Sequence, residues 1–162
     1  MPDLSSLAAS LGALLKARGQ TVAVAESASG GLISAALVAV PGASAYYLGG
    51  SVVYTQASRE GIMEVTSDMM EGMRASTEPY ARMNARIIRD KLGATWGLSE
   101  TGASGPTGNR YGDAAGHACI AVVGPVERSI TLETGSADRE ANMWTFAKTA
   151  LDLLETCIKE QG

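Results

Sequence analysis

The chain has 162 residues, of which 46% are apolar, a size typical of one globular domain that buries roughly two thirds of its unfolded surface. Its formal net charge of -4 leaves no cationic surplus for the phosphates of a nucleic-acid backbone, which argues against extended DNA or RNA as a partner. Residues 1–20 lack both a basic start and a long uninterrupted apolar run, so we expect neither a signal peptide nor a membrane span. Cys119 and Cys157 lie in apolar runs without the spacing of a metal or redox pair, and we expect buried, reduced thiols in a cytoplasmic protein.

Periodicity and turn residues divide the chain into alternating helices and strands. Apolar residues at helical spacing predict a first helix that ends near Arg18, with Gly19 as a left-handed cap. Thr77 before Pro79 is typical of a helix entry. The predicted elements in chain order are a helix over 4–18, a strand over 21–25, a helix over 32–40, a strand over 49–54, a helical start over 56–61, two helices across 67–92, a strand over 94–99, a hairpin over 119–123 and 128–132, and a helix over 139–158.

Helices separate the first three predicted strands, which indicates a layered α/β fold. The hairpin near the end of the chain makes the predicted sheet mixed rather than wholly parallel. We expect one domain over residues 1–162, with no internal repeat or linker. Residues 102–116 are rich in Gly, Pro and Asn and form a longer loop than a compact domain needs, which indicates a functional role.

The first candidate site is the turn AESASGG, which starts at Ala25 and leads from a predicted strand into a helix. Ser27 stands at the strand end, where its hydroxyl is a candidate nucleophile. The backbone N–H groups from Ser29 to Gly31, near a helix start, are candidate donors for an oxyanion or a phosphate. The alternative is structural: the serines cap the helix and the glycines permit close packing.

The second candidate site is TGASGPTGNRYGD, which starts at Thr101 and again follows a predicted strand. It offers hydroxyl groups, flexible backbone at Gly102 and Gly105, and a cation at Arg110. Because open α/β sheets bind ligands at the carboxyl ends of their strands, we expect this loop and Ser27 to share one sheet edge. Neither site matches a P-loop or a GxGxxG fingerprint, and the alternative for the loop is a mobile surface segment.

Several titratable residues are candidate bases for a serine nucleophile. His117 is the single histidine, so a Ser–His mechanism would require it, although its place at the start of an apolar strand is typical of a packed histidine. Asp113 and Glu26 are candidate carboxylate bases, with solvated or capping roles as the alternative. No cluster of His, Cys and carboxylate residues has metal-ligand spacing, so we expect no structural metal.

Taken together, these stretches resemble the CinA C-terminal-domain family, the nicotinamide-nucleotide amidohydrolases. The patterns of that family run AESCTGG, PGSSAYFLGGxVxYSNEAK, SGIAGPGGG, GTVxxA and GDRxxxR. The matching stretches here are AESASGG from Ala25, PGASAYYLGGSVVYTQASR from Pro41, TGASGPTGN from Thr101, GHACIA from Gly116 and SADREANM from Ser136. Their order and spacing hold over about residues 4–158, almost the whole chain.

The resemblance implies a three-layer α/β/α sandwich with a mixed sheet and a homo-oligomer, most simply a dimer. It also implies hydrolysis of nicotinamide mononucleotide to nicotinate mononucleotide and ammonia, without a metal or organic cofactor. The positions that match the family motifs then take two roles. The catalytic positions are Ser27, Tyr54 and Arg59, and the substrate-binding positions are Glu26, Ser29, Gly30, Gly31, Thr101, Gly102, Gly105 and Arg139.

Three departures from the family pattern bear on activity. Cys-Thr has become Ala28-Ser29, the second arginine of GDRxxxR has become Met143, and the lysine of YSNEAK has become Arg59. A lysine in an apolar site can lose its proton and serve as a base, whereas a guanidinium keeps its proton. Two hypotheses stay open: an active amidohydrolase whose base is Tyr54, a water or another carboxylate, and an inactive paralogue that binds a nucleotide or a protein.

Overall fold

The computed structural model describes residues 3–162, so the first two residues of the predicted domain lie outside it. Five strands form one mixed sheet in the order β2-β1-β3-β4-β5. The elements are helices α1 (Leu4–Arg18), α2 (Leu32–Val38), α3 (Gln56–Gly61), α4 (Glu78–Leu92) and α5 (Arg139–Glu160), and strands β1 (Val22–Glu26), β2 (Tyr47–Val52), β3 (Trp96–Ala103), β4 (His117–Val123) and β5 (Arg128–Glu133). Strand β1 runs parallel to β2 and β3, and β4 runs antiparallel to β3 and β5.

Helices cover both faces of this sheet, as the three-layer prediction requires. Helices α1, α2 and α5 pack against one another over one face, and α4 packs on β1, β3 and β4 from the other. The main core joins Leu151 and Leu154 of α5 to Trp96, Leu98 and Ile120 of the sheet, and all five side chains are buried. Burial of several such side chains, at about 1.5–3 kcal/mol each, holds the layers together. No helix in the described part of the chain is both long and apolar enough to cross a membrane.

Helix ends lie close to the predicted positions because their capping residues act locally. Gly19 has φ 63° and donates its N–H to carbonyl groups of the last turn of α1. Thr77 caps α4 by accepting a hydrogen bond from the Tyr80 N–H, with Pro79 in the first turn. These two helices therefore have the boundaries that their cap signals predict.

Three parts of the prediction were wrong in extent. The strand predicted over 49–54 is β2, Tyr47–Val52, so Tyr54 follows the strand. Residues 67–77 do not form the first of the two predicted helices and contain only a short 3-10 turn, Asp68–Met70. Gly72 and Ser76 have positive φ angles of 71° and 60°, which a right-handed helix cannot continue through. Strand β3 is longer than predicted, because pairing with β4 continues to Ala103 and converts the start of the predicted loop into strand.

Candidate active site

Two adjoining cavities open at the carboxyl ends of β1 and β3. The first has a volume of about 300 Å³ and is lined by Ser27, Thr101 and residues 109–111, among others. The second has a volume of about 200 Å³ and is lined by Gly105 and Arg139, among others. Tyr54, Gly102 and Asn109 line both cavities, so the two are parts of one site. The prediction that Ser27 and the loop after β3 share one sheet edge is confirmed.

Glu100, the residue before Thr101 in β3, holds the main chain around Ser27 by hydrogen bonds. One oxygen of Glu100, Oε1, accepts hydrogen bonds from the backbone N–H of Ser27 at 3.0 Å and of Ser29 at 2.9 Å. The Ser27 carbonyl accepts a third bond from the Gly30 N–H at 3.0 Å. Among residues 3–162, the Ser27 hydroxyl itself has no hydrogen-bond partner. Three hydrogen bonds hold the main chain of this turn, and the Ser27 hydroxyl is available to a ligand.

Glu100 belongs to a pair of buried carboxyl groups that share the Ser29 hydroxyl. Ser29 Oγ lies 2.7 Å from Glu26 Oε1 and 2.6 Å from Glu100 Oε1. A hydroxyl has one proton to donate, so Ser29 donates to only one of these two oxygens at a time. The other hydrogen bonds of the Glu26 carboxyl group all come from N–H donors at the start of α2, namely those of Gly31, Ile33 and Ser34.

Glu100 is the member of the pair whose pKa is raised. Burial raises the pKa of Glu100, and the hydrogen bonds from Ser29 and Ser27 oppose that rise only in part. Its second oxygen, Oε2, is buried without a hydrogen-bond partner, which a neutral carboxyl group tolerates better than a carboxylate. The Ser29 hydroxyl thus links the two buried carboxyl groups.

The N–H groups expected to bind an oxyanion are already used inside the protein. Those of Ser29 and Gly31 donate to the two buried carboxyl groups, and that of Gly30 donates to the Ser27 carbonyl. Ser29 and Glu26 are buried and line neither cavity. The sequence prediction for these N–H groups is corrected: they hold the turn that carries Ser27, because they donate to two buried carboxyl groups and to the Ser27 carbonyl.

The Ala28 N–H replaces those groups as the available donor beside Ser27. It donates to no protein atom among the described residues, and Ala28 lines the second cavity. Ser104 Oγ donates to the Ala28 carbonyl at 3.0 Å and holds the next peptide in place. An N–H on the residue after a nucleophile is a common element of oxyanion holes.

Tyr54 and Arg139 meet between the two cavities. Arg139 Nη2 donates to the Tyr54 hydroxyl at 2.9 Å, and Nη1 donates to the Gly105 carbonyl. Arg139 is the first residue of α5, whose entry is capped by Asp138. The structure thus places in the site two residues that the sequence predicts on separate motifs.

Arg59 extends from α3 into the first cavity, which also contains Ser27 and Tyr54. Its guanidinium lies over the ring of Tyr80, with 5.9 Å between its central carbon and the ring centroid. Its Nε is buried and has no hydrogen-bond partner among residues 3–162. The three residues predicted to be catalytic therefore line one cavity.

His117 lies outside both cavity linings. Its Nδ1 is 2.5 Å from Glu133 Oε1, and its Nε2 is 2.9 Å from the Ser76 carbonyl oxygen. Both partners are acceptors, so both ring nitrogens carry protons. Burial lowers the pKa of His117, but hydrogen bonds to Glu133 and Ser76 and the charge of Asp113 outweigh burial and raise it. This imidazolium has no free nitrogen with which to act as a base for Ser27.

Asp113 also has a structural role in this arrangement. It receives two hydrogen bonds from Arg74, at 2.8 and 3.2 Å, and the bond from Arg74 is the main reason that the pKa of Asp113 is lowered. Asn109 Oδ1 accepts from the N–H groups of Tyr111 and Asp113 and closes the loop. The loop after β3 is thus an ordered cavity wall rather than a mobile segment.

The sequence reasoning missed Glu100, Ser76 and the Ala28 N–H. Glu100 had a detectable signal, because a carboxyl residue in the run WGLSETG occupies a strand that is otherwise mostly apolar or small. Ser76 had none: its backbone meets Thr101 and His117 only after the chain folds. In the described part of the chain, no group of three or more His, Cys, Asp and Glu side chains is arranged to hold a metal ion.

A family model described as the CinA C-terminal domain matches residues 4–158. The chain belongs to the CinA C-terminal domain family. A CinA-like protein of Gloeobacter violaceus is 38% identical over 154 residues, covering 94% of this chain and 36% of that protein. A CinA-like protein of Prochlorococcus marinus is 40% identical over 123 residues, covering 76% of this chain and 29% of that protein. The chain therefore spans about a third of the length of these CinA relatives.

Solved CinA structures have the same fold. A CinA superfamily protein of Klebsiella pneumoniae superposes with a TM-score of 0.90 at 23% identity, covering 98% of this chain and 99% of that one. A competence or damage-inducible protein of Enterobacter asburiae gives a TM-score of 0.88 at 26% identity, with the same coverage. The mixed α/β/α architecture is thus the CinA fold over nearly the whole chain.

Proposed function

We propose that this CinA domain is a serine-dependent amidohydrolase that converts nicotinamide mononucleotide to nicotinate mononucleotide and ammonia. The observation that carries the proposal is the free hydroxyl of Ser27 on a cavity that adjoins an arginine able to hold a phosphate, Arg139. Both residues match motifs of the amidohydrolases that the sequence resembles. A free nucleophile and a phosphate anchor in adjoining cavities suit a small phosphorylated amide.

The reaction has two steps. Ser27 Oγ bonds to the carboxamide carbon while the Ala28 N–H stabilises the oxyanion, and the C–N bond then breaks. The serine proton leaves with the nitrogen as ammonia. A water molecule then adds to the ester, and cleavage of the ester regenerates the serine and releases the acid.

The phosphate is assigned to the second cavity. Arg139 presents a guanidinium there, and guanidinium groups form paired hydrogen bonds with phosphate oxygens. The N–H groups of Gly105 and Gly108, which also line this cavity, donate to no other protein atom in the described residues. A phosphate would satisfy these donors, and the pyridine ring would then lie toward Tyr54 and the first cavity.

The base is assigned to Tyr54 or to a bound water. Arg59 keeps its proton and is excluded from that role, and His117 and Asp113 are engaged elsewhere. Tyr54 lies in both cavity linings, and its oxygen is held by Arg139. Its position between the cavities suits a group that moves a proton between Ser27 and the leaving nitrogen.

The experiment is to measure ammonia release from nicotinamide mononucleotide by the pure protein and by Ser27→Ala. We expect a loss of about a thousandfold or more in Ser27→Ala, in line with the removal of a nucleophile in other hydrolases. The control is Ser10→Ala, which removes an exposed hydroxyl of α1 and leaves the rate unchanged. Equal rates in the wild type and Ser27→Ala would refute the proposal.

A binding module is the second candidate, and two observations favour it. No titratable side chain among residues 3–162 is hydrogen-bonded to the Ser27 hydroxyl, and arginine replaces the family lysine at position 59. This alternative predicts nucleotide binding without ammonia release. The homo-oligomer implied by the family resemblance remains part of the proposal, and sedimentation of the purified chain tests it.

A further inference from the structure

The two cavities gather cationic side chains that have no acidic partner. Arg18, Arg59, Arg110 and Arg139 form no ion pair among the described residues. Three of these four arginines line the cavities, and no carboxylate of residues 3–162 lines either one. In a chain with a net charge of -4, this concentration of unpaired positive charge marks the site as complementary to anions.

The first cavity holds two of these arginines at the Ser27 end. Arg59 is held over the Tyr80 ring, and its buried Nε has no acceptor. Arg110 lies over Tyr111 at 5.1 Å and donates to the Tyr111 hydroxyl at 3.0 Å. Aromatic rings rather than carboxylates position both guanidinium groups, so their charges remain available to a ligand.

A carboxamide alone does not account for two arginines at this end. A neutral amide oxygen accepts a hydrogen bond of ordinary strength, whereas bonds between a guanidinium and a carboxylate are roughly twice as strong. The amide and acid mononucleotides carry the same pyridinium cation, so repulsion between that cation and the arginines does not distinguish them. The Ser27 end of the site therefore fits a negatively charged group better than an amide.

We infer that the preferred ligand carries an anionic group at each end, a phosphate near Arg139 and a carboxylate near Arg59 and Arg110. The inference rests on the proposed function for the location of the phosphate. Nicotinate mononucleotide has this charge pattern, whereas nicotinamide mononucleotide has the phosphate alone. The site thus binds the acid form of the nucleotide more tightly than the amide form, and the acid inhibits any deamidation.

The experiment is a set of four ligands measured by titration calorimetry: nicotinate and nicotinamide mononucleotides and the two corresponding ribosides. The full chain carries Ser27→Ala so that no ligand is turned over. We expect nicotinate mononucleotide to bind about tenfold or more tightly than nicotinamide mononucleotide. We expect nicotinate riboside likewise to bind more tightly than nicotinamide riboside, with both affinities lower than those of the mononucleotides.

Arginine variants assign the two ends. Arg59→Gln, or Arg110→Gln if the first variant does not fold, removes the preference for the acid, because affinity for the acid nucleotide falls much more than affinity for the amide nucleotide. Arg139→Gln weakens both nucleotides and leaves the ribosides unchanged. The matched control is Arg18→Gln, which removes an unpaired arginine outside both cavities and changes no affinity.

Equal affinity for the acid and amide nucleotides would overturn the inference. An equal loss of affinity for the acid and amide nucleotides in Arg59→Gln would also overturn the inference, because it would show that Arg59 has a structural role. Ammonia release is measured separately with Ser27 intact. Deamidation without a preference for the acid refutes this inference alone, and a preference for the acid without deamidation supports it while refuting the proposed enzyme.

Discussion

Glu100 accepts a hydrogen bond of 3.0 Å from the backbone N–H of Ser27, although the two residues are 73 positions apart in the chain. The contact joins the end of β3 to the turn after β1. It leaves the Ser27 hydroxyl on the cavity while its main chain is fixed from behind. A residue that no motif marks therefore determines where the nucleophile candidate lies.

Glu100→Ala tests this support directly. The change leaves the N–H groups of Ser27 and Ser29 without an acceptor, and each buried unpaired group costs about 1–3 kcal/mol. We expect the free energy of unfolding in urea to fall by that order, whereas Glu100→Gln, which keeps an acceptor oxygen, loses less. Glu71→Ala is the control, because it removes an exposed carboxyl group with no protein partner in the described residues. A loss in Glu100→Ala no larger than in this control would contradict the assignment.

The raised pKa of Glu100 predicts how stability depends on pH. Burial raises the pKa of Glu100 above its ordinary value of 4.5, so the folded protein holds a proton that the unfolded chain releases. The stability that this proton contributes is complete below 4.5 and is lost as pH rises toward the raised pKa. We expect the stability of the wild type relative to Glu100→Gln to decline over that window in urea titrations. A difference independent of pH would mean that Glu100 is ionised throughout.

The His117 imidazolium has a direct spectroscopic signature, because the chain contains one histidine. Since the pKa of His117 is raised above 6.5, its NMR titration should have a midpoint above that value. Its contribution to stability is complete below 6.5 and is lost as pH rises through the raised pKa. Glu133→Gln should lower the midpoint by removing the hydrogen-bonded carboxylate, and Glu127→Gln, on an exposed residue paired with Arg86, should not. An unchanged midpoint in Glu133→Gln would show that this contact does not hold the proton.

Arg59→Lys tests whether the family lysine is a base. An amine beside Tyr80 and Ser27 loses part of its hydration, which favours its neutral form and lets it take the serine proton. We expect ammonia release to rise by up to about a hundredfold, with a new rising limb in the pH profile that the guanidinium cannot produce. Matching rates and profiles in the two forms would show that position 59 supplies only charge.

The sequence determined the parts of this protein that depend on neighbours along the chain. Helix α1 ends where Gly19 predicts and α4 begins where Thr77 predicts, because a cap contacts only the nearest few backbone groups. The strand-to-turn pattern placed Ser27 at a sheet edge for the same reason. The motifs also established the family and nominated Tyr54, Arg59 and Arg139, although their roles remain predictions.

The tertiary structure determined which groups surround those residues. Pairing with β4 extended β3 through the predicted loop, and the fold brought Glu100 beneath Ser27. Glu100 accepts hydrogen bonds from the N–H groups of Ser27 and Ser29, which in an isolated turn would be available to a ligand. Hydrogen bonds are filled by whichever acceptor folding brings nearest, and burial by the folded chain raises the pKa of Glu100. Both depend on distances across the sheet rather than on spacing along the chain, so local sequence patterns do not predict them.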